Sequence, residues 1–306
     1  MIEQSLYKNT KWIRITNPTV DELSEIRNEF DIDPSALNDL ASPTPHQKVE
    51  TYPNSLYAVF HFPAYRHSHK KSHIQEIDFV IGKDYVITVQ YDTIDALLKL
   101  SGEEAVKDLL GEMSEEETDP GVIFVGVLKE LYSAMEDELL NMGEKLKKVE
   151  DNVFLGQEKE MVGQISAISR DLLDLKRTLS PHNRNFENLL LVATKANDPK
   201  FASHVEKILD NIYIKLIEEV SDSIDLAKEL RETNNSLLYT KQNETMKVLT
   251  IMAFVTFPLS LVASIFGMNT KILPIVGLPY DFWIILGFMF LSTLVMFIFF
   301  KTKKWL

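Results

Sequence analysis

Two long apolar runs near the carboxyl terminus constrain this chain more than any other feature. Residues 248–266 and 282–300 each contain 19 residues without a charged side chain. As helices they would each rise about 28 Å, which is close to the roughly 30 Å thickness of a bilayer's hydrocarbon core. Buried helices of a soluble core usually keep a polar face at this length. The two runs therefore predict two transmembrane helices.

The lysines that flank the two runs predict how the chain is oriented in the membrane. They are Lys241, Lys247, Lys301, Lys303 and Lys304, whereas the connecting loop has only Lys271, offset by Asp281. Because lysine and arginine accumulate on cytoplasmic flanks, both termini are predicted to be cytoplasmic. The first ten residues also lack the basic-then-apolar pattern of a secretory signal. We expect a multi-pass protein of the cell (inner or plasma) membrane.

Charge and composition narrow the class of function. Residues 245–306 carry five lysines and one aspartate, so the net charge of −13 for the whole chain leaves −17 on residues 1–244. Such an acidic body repels nucleic acid and concentrates cations, although ordinary solubility charge would look the same. There is no cysteine, which excludes thiolate metal sites. We find no nucleotide-binding glycine loop or nucleophile elbow, and we expect no enzymatic activity.

Residues 1–118 predict a mixed α/β cytoplasmic domain. Residues 12–15 have the character of a strand, and Thr19 to Glu22 have the spacing of a capping box that opens a helix ending near Phe30. Turns at residues 53–55 and 82–84 each separate two short apolar runs. The prediction is a small sheet flanked by helices.

Residues 119–244 predict a stalk, or funnel, of long helices below a pore domain at residues 245–306. A second helix should run from Glu158 to Leu179, where Ser180-Pro181 interrupts it. No proline or glycine occurs from Phe201 to Phe257, so one helix is expected to enter the first span. A first helix shows an apolar seam at Leu128, Leu131, Met135, Leu139, Met142, Leu146, Val149 and Val153.

Helices of this length need neighbours, and two spans alone cannot enclose a water-filled path. We therefore predict a homo-oligomer. Steps of three and four residues along the first span mark one stripe with polar ends and an apolar middle. Such a stripe is typical of a conduction path gated by dewetting, although it would also suit lipid or a neighbouring helix. It comprises Asn243, Met246, Leu249, Ala253, Phe257, Ser260 and Ser264.

The first span ends in Gly267, Met268 and Asn269. Glycine permits a sharp turn there, and the asparagine amide offers an uncharged carbonyl oxygen. No aspartate or glutamate lies between Glu244 and Asp281, so a ring of carboxylates cannot be the filter. Because Mg²⁺ keeps several waters when bound, a ring of Asn269 carbonyls could hold the hydrated ion. A plain helix C-cap would have the same sequence.

At these residues the chain resembles the CorA family of magnesium transporters. The resemblance rests on FGMN at the end of the first of two spans and on KTKKWL at the terminus. It extends through HQKVETYPNSLYAVFHF, DYVITVQ, LLDLKRTLSPHNRNF and NETMKVLTIMAFVTFPLSLVASIFGMN, in the family's order.

The resemblance implies a homopentamer with an α/β cytoplasmic domain, a funnel of long helices and a pore lined by the first span. It assigns selectivity to Gly267, Met268 and Asn269, and it places the stripe above along the pore. Lys301, Lys303 and Lys304 would form a basic ring around the cytoplasmic entrance. Mg²⁺ would be both the transported ion and the regulatory ion, gating the pore from the cytoplasm.

Three features depart from the family pattern. Phe266 replaces the usual tyrosine, and the loop after Asn269 has Lys271 and no early acid. The segment HFPAYRHSHKKSHIQ lacks the carboxylate with which members sense intracellular Mg²⁺. Asp210 on the long helix is the candidate for the other half of that site.

Two alternative functions remain open at this stage. His67, His69 and His73 lie close enough in sequence to bind zinc or cobalt, but they equally fit a solvated loop. They keep open a zinc, cobalt or nickel transporter of the same family. A membrane-anchored scaffold that conducts no ion is the second alternative.

Overall fold

In the computed structural model the described residues are 2–7, 9–64, 73–92, 94–98, 119–269, 274–303 and 305. The chain divides into two units, residues 1–231 and residues 232–306. The sequence-based division at residues 118 and 244 stays a prediction.

One six-stranded sheet organises the first unit. Its strands are β1 (Ile2–Tyr7), β2 (Thr10–Thr16), β3 (Val49–Thr51), β4 (Leu56–Ala64), β5 (His73–Ile81) and β6 (Tyr85–Gln90). They lie in the order β1-β2-β6-β5-β4-β3; β2 and β6 pair in parallel, and the other neighbours pair antiparallel. The turns predicted at residues 53–55 and 82–84 are confirmed, because they separate β3 from β4 and β5 from β6.

Helices α1 (Val20–Phe30) and α2 (Pro34–Leu40) cover one face of the sheet. The predicted capping box is present: the Thr19 hydroxyl accepts from the Glu22 amide at 3.3 Å, and the Thr19 amide donates to Glu22 Oε2 at 2.9 Å. The core between the helices and the sheet is apolar and includes Leu23, Ile26, Ala36, Leu40, Ile13, Val59, Val80 and Ile87.

The other helices that the structure describes follow the sheet in sequence. They are α3 (Asp95–Leu98), α4 (Pro120–Phe154), α5 (Glu158–Leu179), α6 (His182–Ala196), α7 (Pro199–Ile208), α8 (Ile214–Phe266) and α9 (Asp281–Thr302). All eight residues of the predicted seam are buried on α4, which confirms the period of that helix. The predicted end of α5 at Leu179 is also confirmed.

His182 joins the sheet to the helices at the start of α6. Its ring is fully buried and lies edge-on to the rings of Phe60 and Phe62 of β4, with centroids 5.1 and 5.0 Å away. Nδ1 lies 2.6 Å from the Tyr132 hydroxyl, and Nε2 lies 2.9 Å from the carbonyl oxygen of His61. The structure therefore places His182 at a helix junction, as its position after Ser180-Pro181 suggests.

A π-helical turn, Leu209–Tyr213, connects α7 to α8. Uninterrupted helix was expected here, and the structure shows helix throughout but with one wider turn. The Tyr213 hydroxyl donates to the carbonyl oxygens of Leu179 and Ser180, at 3.2 and 3.3 Å. These bonds hold the wide turn against the junction between α5 and α6.

Among the described residues, two helices are long and apolar enough to cross a membrane, one ending at Phe266 and the other being α9. Helix α8 has 53 residues, so it is about 80 Å long. Pro258 lies inside it and cannot donate the hydrogen bond to the carbonyl of Phe254. In the second unit, the rings of Phe254 and Phe300 lie 6.4 Å apart and connect α8 with α9.

Candidate ion pathway

The predicted stripe occupies one side of the first span. Ala253 is half-buried, and its other six members are exposed: Asn243, Met246, Leu249, Phe257, Ser260 and Ser264. Phe257 has 72% of its surface accessible. A single chain thus leaves this apolar stripe uncovered, and the stripe is available to line a path between several copies.

The opposite side of the same helix is partly covered. Ile251, Val255, Pro258, Val262 and Phe266 are all half-buried and follow one another at steps of three and four. At about 100° per residue, the centre of this side lies roughly 180° from the centre of the stripe. The stripe therefore faces away from the side of α8 that is partly covered within the chain.

The first span ends in a tight helical turn. The Gly267 amide donates to the Ala263 carbonyl at 2.9 Å, and the Met268 amide donates to the Ile265 carbonyl at 3.2 Å. Gly267 does not adopt a positive φ, so conformational freedom is not why glycine is needed here. A Cβ at this position would lie 3.1 Å from the Ala263 carbonyl oxygen. The glycine instead provides room for the carbonyl that its own amide contacts.

Met268 and Asn269 follow this turn and are both exposed. Asn269 therefore presents its amide to the surroundings rather than to the helix end within the chain. A left-handed helix cap would need a positive φ at Gly267 or Asn269, and neither residue has one. The structure places the three predicted filter residues consecutively at the end of α8.

Asp281 holds the second half of the loop that connects the spans. Its Oδ2 accepts from the Gly277 amide at 3.0 Å, and its Oδ1 accepts from the Phe282 amide at 2.7 Å. Gly277 has a φ of 95°, a conformation that suits glycine. The loop thus carries a carboxylate whose orientation is fixed by the main chain. Lys271 lies outside the described residues.

The lysines after the second span are placed only in part. Lys301 is in the last turn of α9 and Lys303 follows it, both with exposed side chains. Cations in this position interact favourably with the carboxyl end of a helix. Lys304 lies outside the described residues.

Only some of the candidate metal ligands lie among the described residues. Asp210 lies in the π-helical turn and is exposed. His67 and His69 lie outside the described residues, as does the side chain of His73. Across the part of the chain that the structure describes, no three histidine, aspartate or glutamate side chains are placed to hold a metal ion.

An acidic stripe on α8 was missed by the sequence reasoning. Its members are exposed and recur at steps of four and three residues: Glu218, Asp222, Asp225, Glu229 and Glu232. The opposite side of the helix is buried, at Leu216, Val220, Ala227 and Leu230. The same spacing continues through Ser236 and Tyr239 to Asn243, where the predicted pore stripe begins. Extending the stripe backwards from Asn243 would have found it.

Comparisons with known proteins agree with this architecture. A family model described as CorA-like Mg²⁺ transporter protein matches residues 7–303. The cobalt/magnesium transport protein CorA of Thermotoga maritima is 25% identical over 300 residues, covering 96% of this chain and 83% of that protein.

Solved structures show the same fold. The complete structure of the CorA magnesium transporter from Methanocaldococcus jannaschii matches with a TM-score of 0.78 at 19% identity, covering 99% of this chain and 93% of that one. The full-length CmaX protein matches with a TM-score of 0.71 at 16% identity, covering 98% and 90%. Because the family model covers nearly the whole chain, the chain belongs to the CorA-like family of Mg²⁺ transporter proteins.

Proposed function

We propose that five copies of this chain surround one pore, through which hydrated Mg²⁺ moves passively into the cytoplasm. The observation that supports the proposal is the stripe along α8, exposed at every member except the half-buried Ala253 and turned away from the partly covered side of that helix. A scaffold would not need polar residues at both ends of such a stripe. Family membership supports the assignment to ion transport.

The proposed filter is a ring of Asn269 side chains, one from each copy. Amide oxygens accept hydrogen bonds from the waters that Mg²⁺ retains, so the ion need not be dehydrated. Gly267 and Met268 set the end of α8 from which Asn269 projects. Since the ring carries no net charge, it binds the ion weakly enough to release it.

The proposed gate is the apolar middle of the stripe. Met246, Leu249 and Phe257 lie within a segment of 12 residues, whose ends are about 16 Å apart along the helix. Apolar rings of this length exclude water when narrow, and a modest widening rewets them. Asn243 at one end and Ser260 with Ser264 at the other would keep the mouths of the constriction hydrated.

Intracellular Mg²⁺ is proposed to close the pore. In the proposed pentamer, the acidic stripes of neighbouring copies would approach one another, and the repulsion between their carboxylates would favour splayed helices. Mg²⁺ bound among them, and at the exposed Asp210, would favour the packed state. Transport would be driven by the membrane potential, which supplies about 4.6 kcal/mol for a divalent cation at ~100 mV. Lys301, Lys303 and Lys304 would repel cations from the cytoplasmic rim.

The test is ion uptake into proteoliposomes that contain the full-length protein. Asn269→Ala should abolish Mg²⁺ uptake, whereas the matched control Asn235→Ala should leave it unchanged, since Asn235 is an exposed α8 asparagine outside the stripe. Native mass spectrometry of both variants should show five subunits. Uptake that survives Asn269→Ala would refute the filter.

The same assay separates the alternatives. If the protein takes up Zn²⁺ or Co²⁺ but not Mg²⁺, then the transported ion is not Mg²⁺. If no divalent ion crosses in any variant while the oligomer is intact, the protein is a scaffold and the proposal fails.

A further inference from the structure

Two acidic residues of β5 point into the core of the first unit. Glu76 and Asp78 are two residues apart on one strand, so their side chains share a face. This is the face that α1 and α2 cover. Asp78 is completely buried and Glu76 is 8% exposed. Burying two neighbouring carboxylates is costly unless their charge is removed or matched.

The hydrogen-bond donors around Asp78 all approach one of its two carboxylate oxygens. Its Oδ2 accepts from the hydroxyls of Tyr57 and Tyr91, at 3.0 and 2.8 Å. Its Oδ1 is buried and has no hydrogen-bond partner among the described residues. A carboxylate oxygen left without a donor in the core is energetically unfavourable, whereas a protonated one could itself donate.

Glu76, in contrast, is fully supplied with donors. The Thr44 amide lies 2.8 Å from both carboxylate oxygens, and the Thr44 hydroxyl lies 3.1 Å from Oε1. His61 Nε2 lies 3.1 Å from Oε2. Burial acts to raise the pKa of Glu76, but the bonds from His61 and Thr44 outweigh it and hold this pKa below its usual value. Glu76 is therefore the ionised member of the pair.

The nearby cation is already engaged. Lys48 Nζ lies 5.4 Å from the centre of the Tyr57 ring, but it pairs with Asp39 at 2.6 Å and with Glu50 at 3.2 Å. Tyr91 also approaches the Asp39 carbonyl, at 3.4 Å. Burial first, and then the charge of Glu76, raise the pKa of Asp78 well above its usual value.

We propose that Asp78 is protonated at neutral pH and donates its Oδ1 proton to the Glu76 carboxylate, which makes the pair a proton-operated lock. The lock acts on residues 42–48, because Glu76 holds that segment through Thr44. The same segment reaches α5, where Gln47 Nε2 donates to the Thr178 carbonyl at 3.0 Å. At alkaline pH, ionisation of Asp78 would place two charges side by side and release Thr44. This inference does not depend on the proposed ion pathway.

The first experiment is infrared spectroscopy of the full-length protein in detergent at pH 7. We expect the carbonyl stretch of a protonated carboxylic acid, lost in Asp78→Asn and retained in Asp84→Asn. Asp84 is the matched control because it is an exposed aspartate in the next turn. Absence of the band from the wild type, or its persistence in Asp78→Asn, would overturn the proposal.

The second experiment measures hydrogen exchange of residues 42–48 from pH 7 to pH 10, corrected for the intrinsic rate. Once Asp78 titrates, protection in the wild type should fall by up to about tenfold per pH unit, as expected for one proton. Asp78→Asn should show no such fall, because its amide can still donate to Glu76. An unchanged profile in the wild type contradicts the lock. A variant that fails to fold contradicts it too, since asparagine mimics the protonated acid.

Discussion

Acidification should destabilise the first unit through His182. The neutral ring uses both nitrogens: Nε2 donates to the His61 carbonyl at 2.9 Å, and Nδ1 accepts from the Tyr132 hydroxyl at 2.6 Å. Because the ring is completely buried, desolvation lowers the pKa of His182 to about 3, despite the favourable bond to His61. The folded protein therefore resists a proton that the unfolded chain accepts.

The size of the effect follows from the two pKa values. An unfolded histidine has a pKa of about 6.5, so the stability from keeping His182 neutral is fully present above that pH. It is lost as pH falls towards the folded pKa of about 3. Between pH 7.5 and pH 5 the loss is about 2 kcal/mol, or roughly thirtyfold in the folded-to-unfolded ratio.

The assay is urea unfolding of the full-length protein in detergent, followed by the fluorescence of Trp12. Trp12 is buried in the sheet domain, and replacing Trp283 and Trp305 by phenylalanine leaves it as the sole tryptophan. The comparison variant is His182→Gln, whose amide can accept and donate in the same directions but does not titrate. Asp78 contributes a trend of opposite sign, which is common to both proteins and cancels in the comparison.

The wild type should lose about 2 kcal/mol more than His182→Gln between pH 7.5 and pH 5. Parallel pH profiles for the two proteins would refute the reasoning, because they would mean that His182 takes up no proton on unfolding. A steeper profile for the variant would refute it as well.

Three further predictions concern the pathway and the domain that carries it. Gly267→Ala should lower Mg²⁺ uptake about fivefold, equivalent to ~1 kcal/mol, because the alanine Cβ would crowd the Ala263 carbonyl oxygen at 3.1 Å. Native mass spectrometry should show an unchanged oligomer. Neutralising the acidic stripe should stabilise the protein in chelator by about 1 kcal/mol, because each pair of like charges four residues apart costs ~0.2–0.5 kcal/mol. The same change should weaken the thermal stabilisation of the protein by Mg²⁺. An unchanged response to Mg²⁺ would argue against ion binding at the stripe. Thr19→Ala should cost about 1 kcal/mol in urea unfolding without changing uptake, because it removes only the cap of α1.

Periodic and local features were predictable from the sequence, and long-range ones were not. The α4 seam, the capping box at Thr19 and the end of α5 follow from spacing within a few residues. The strand β1 was not predicted, because its pairing with β2 exists only in the folded sheet. The π-helical turn was also missed, since it is held by bonds from Tyr213 to carbonyls more than 30 residues away.

The candidate site divides in the same way. The spacing of the stripe could be found from the sequence, and α8 carries it on one exposed side. The acidic continuation was not predicted, because it lies before the apolar run that marks the first span. The role of Asn269 stays a prediction, because a ring of amides forms only between copies. The Asp78–Glu76 pair could not be foreseen, since its meaning depends on Thr44, Tyr57 and Tyr91 converging from distant segments.

The combined stripe also constrains how the proposed pentamer is wound. From Glu218 to Ser264 it advances 46 residues in 13 steps of three or four. At 3.6 residues per turn, 46 residues complete about 12.8 turns, so the stripe drifts by roughly 80° around a straight helix. Five straight, parallel copies could not keep all of it facing one axis.

A left-handed supercoil compensates this drift, and the five α8 helices must therefore incline to the pore axis. In the proposed pentamer, a change in that inclination would turn the acidic stripe and the apolar gate together, so the proposed binding of Mg²⁺ among the carboxylates would act on Met246 and Leu249.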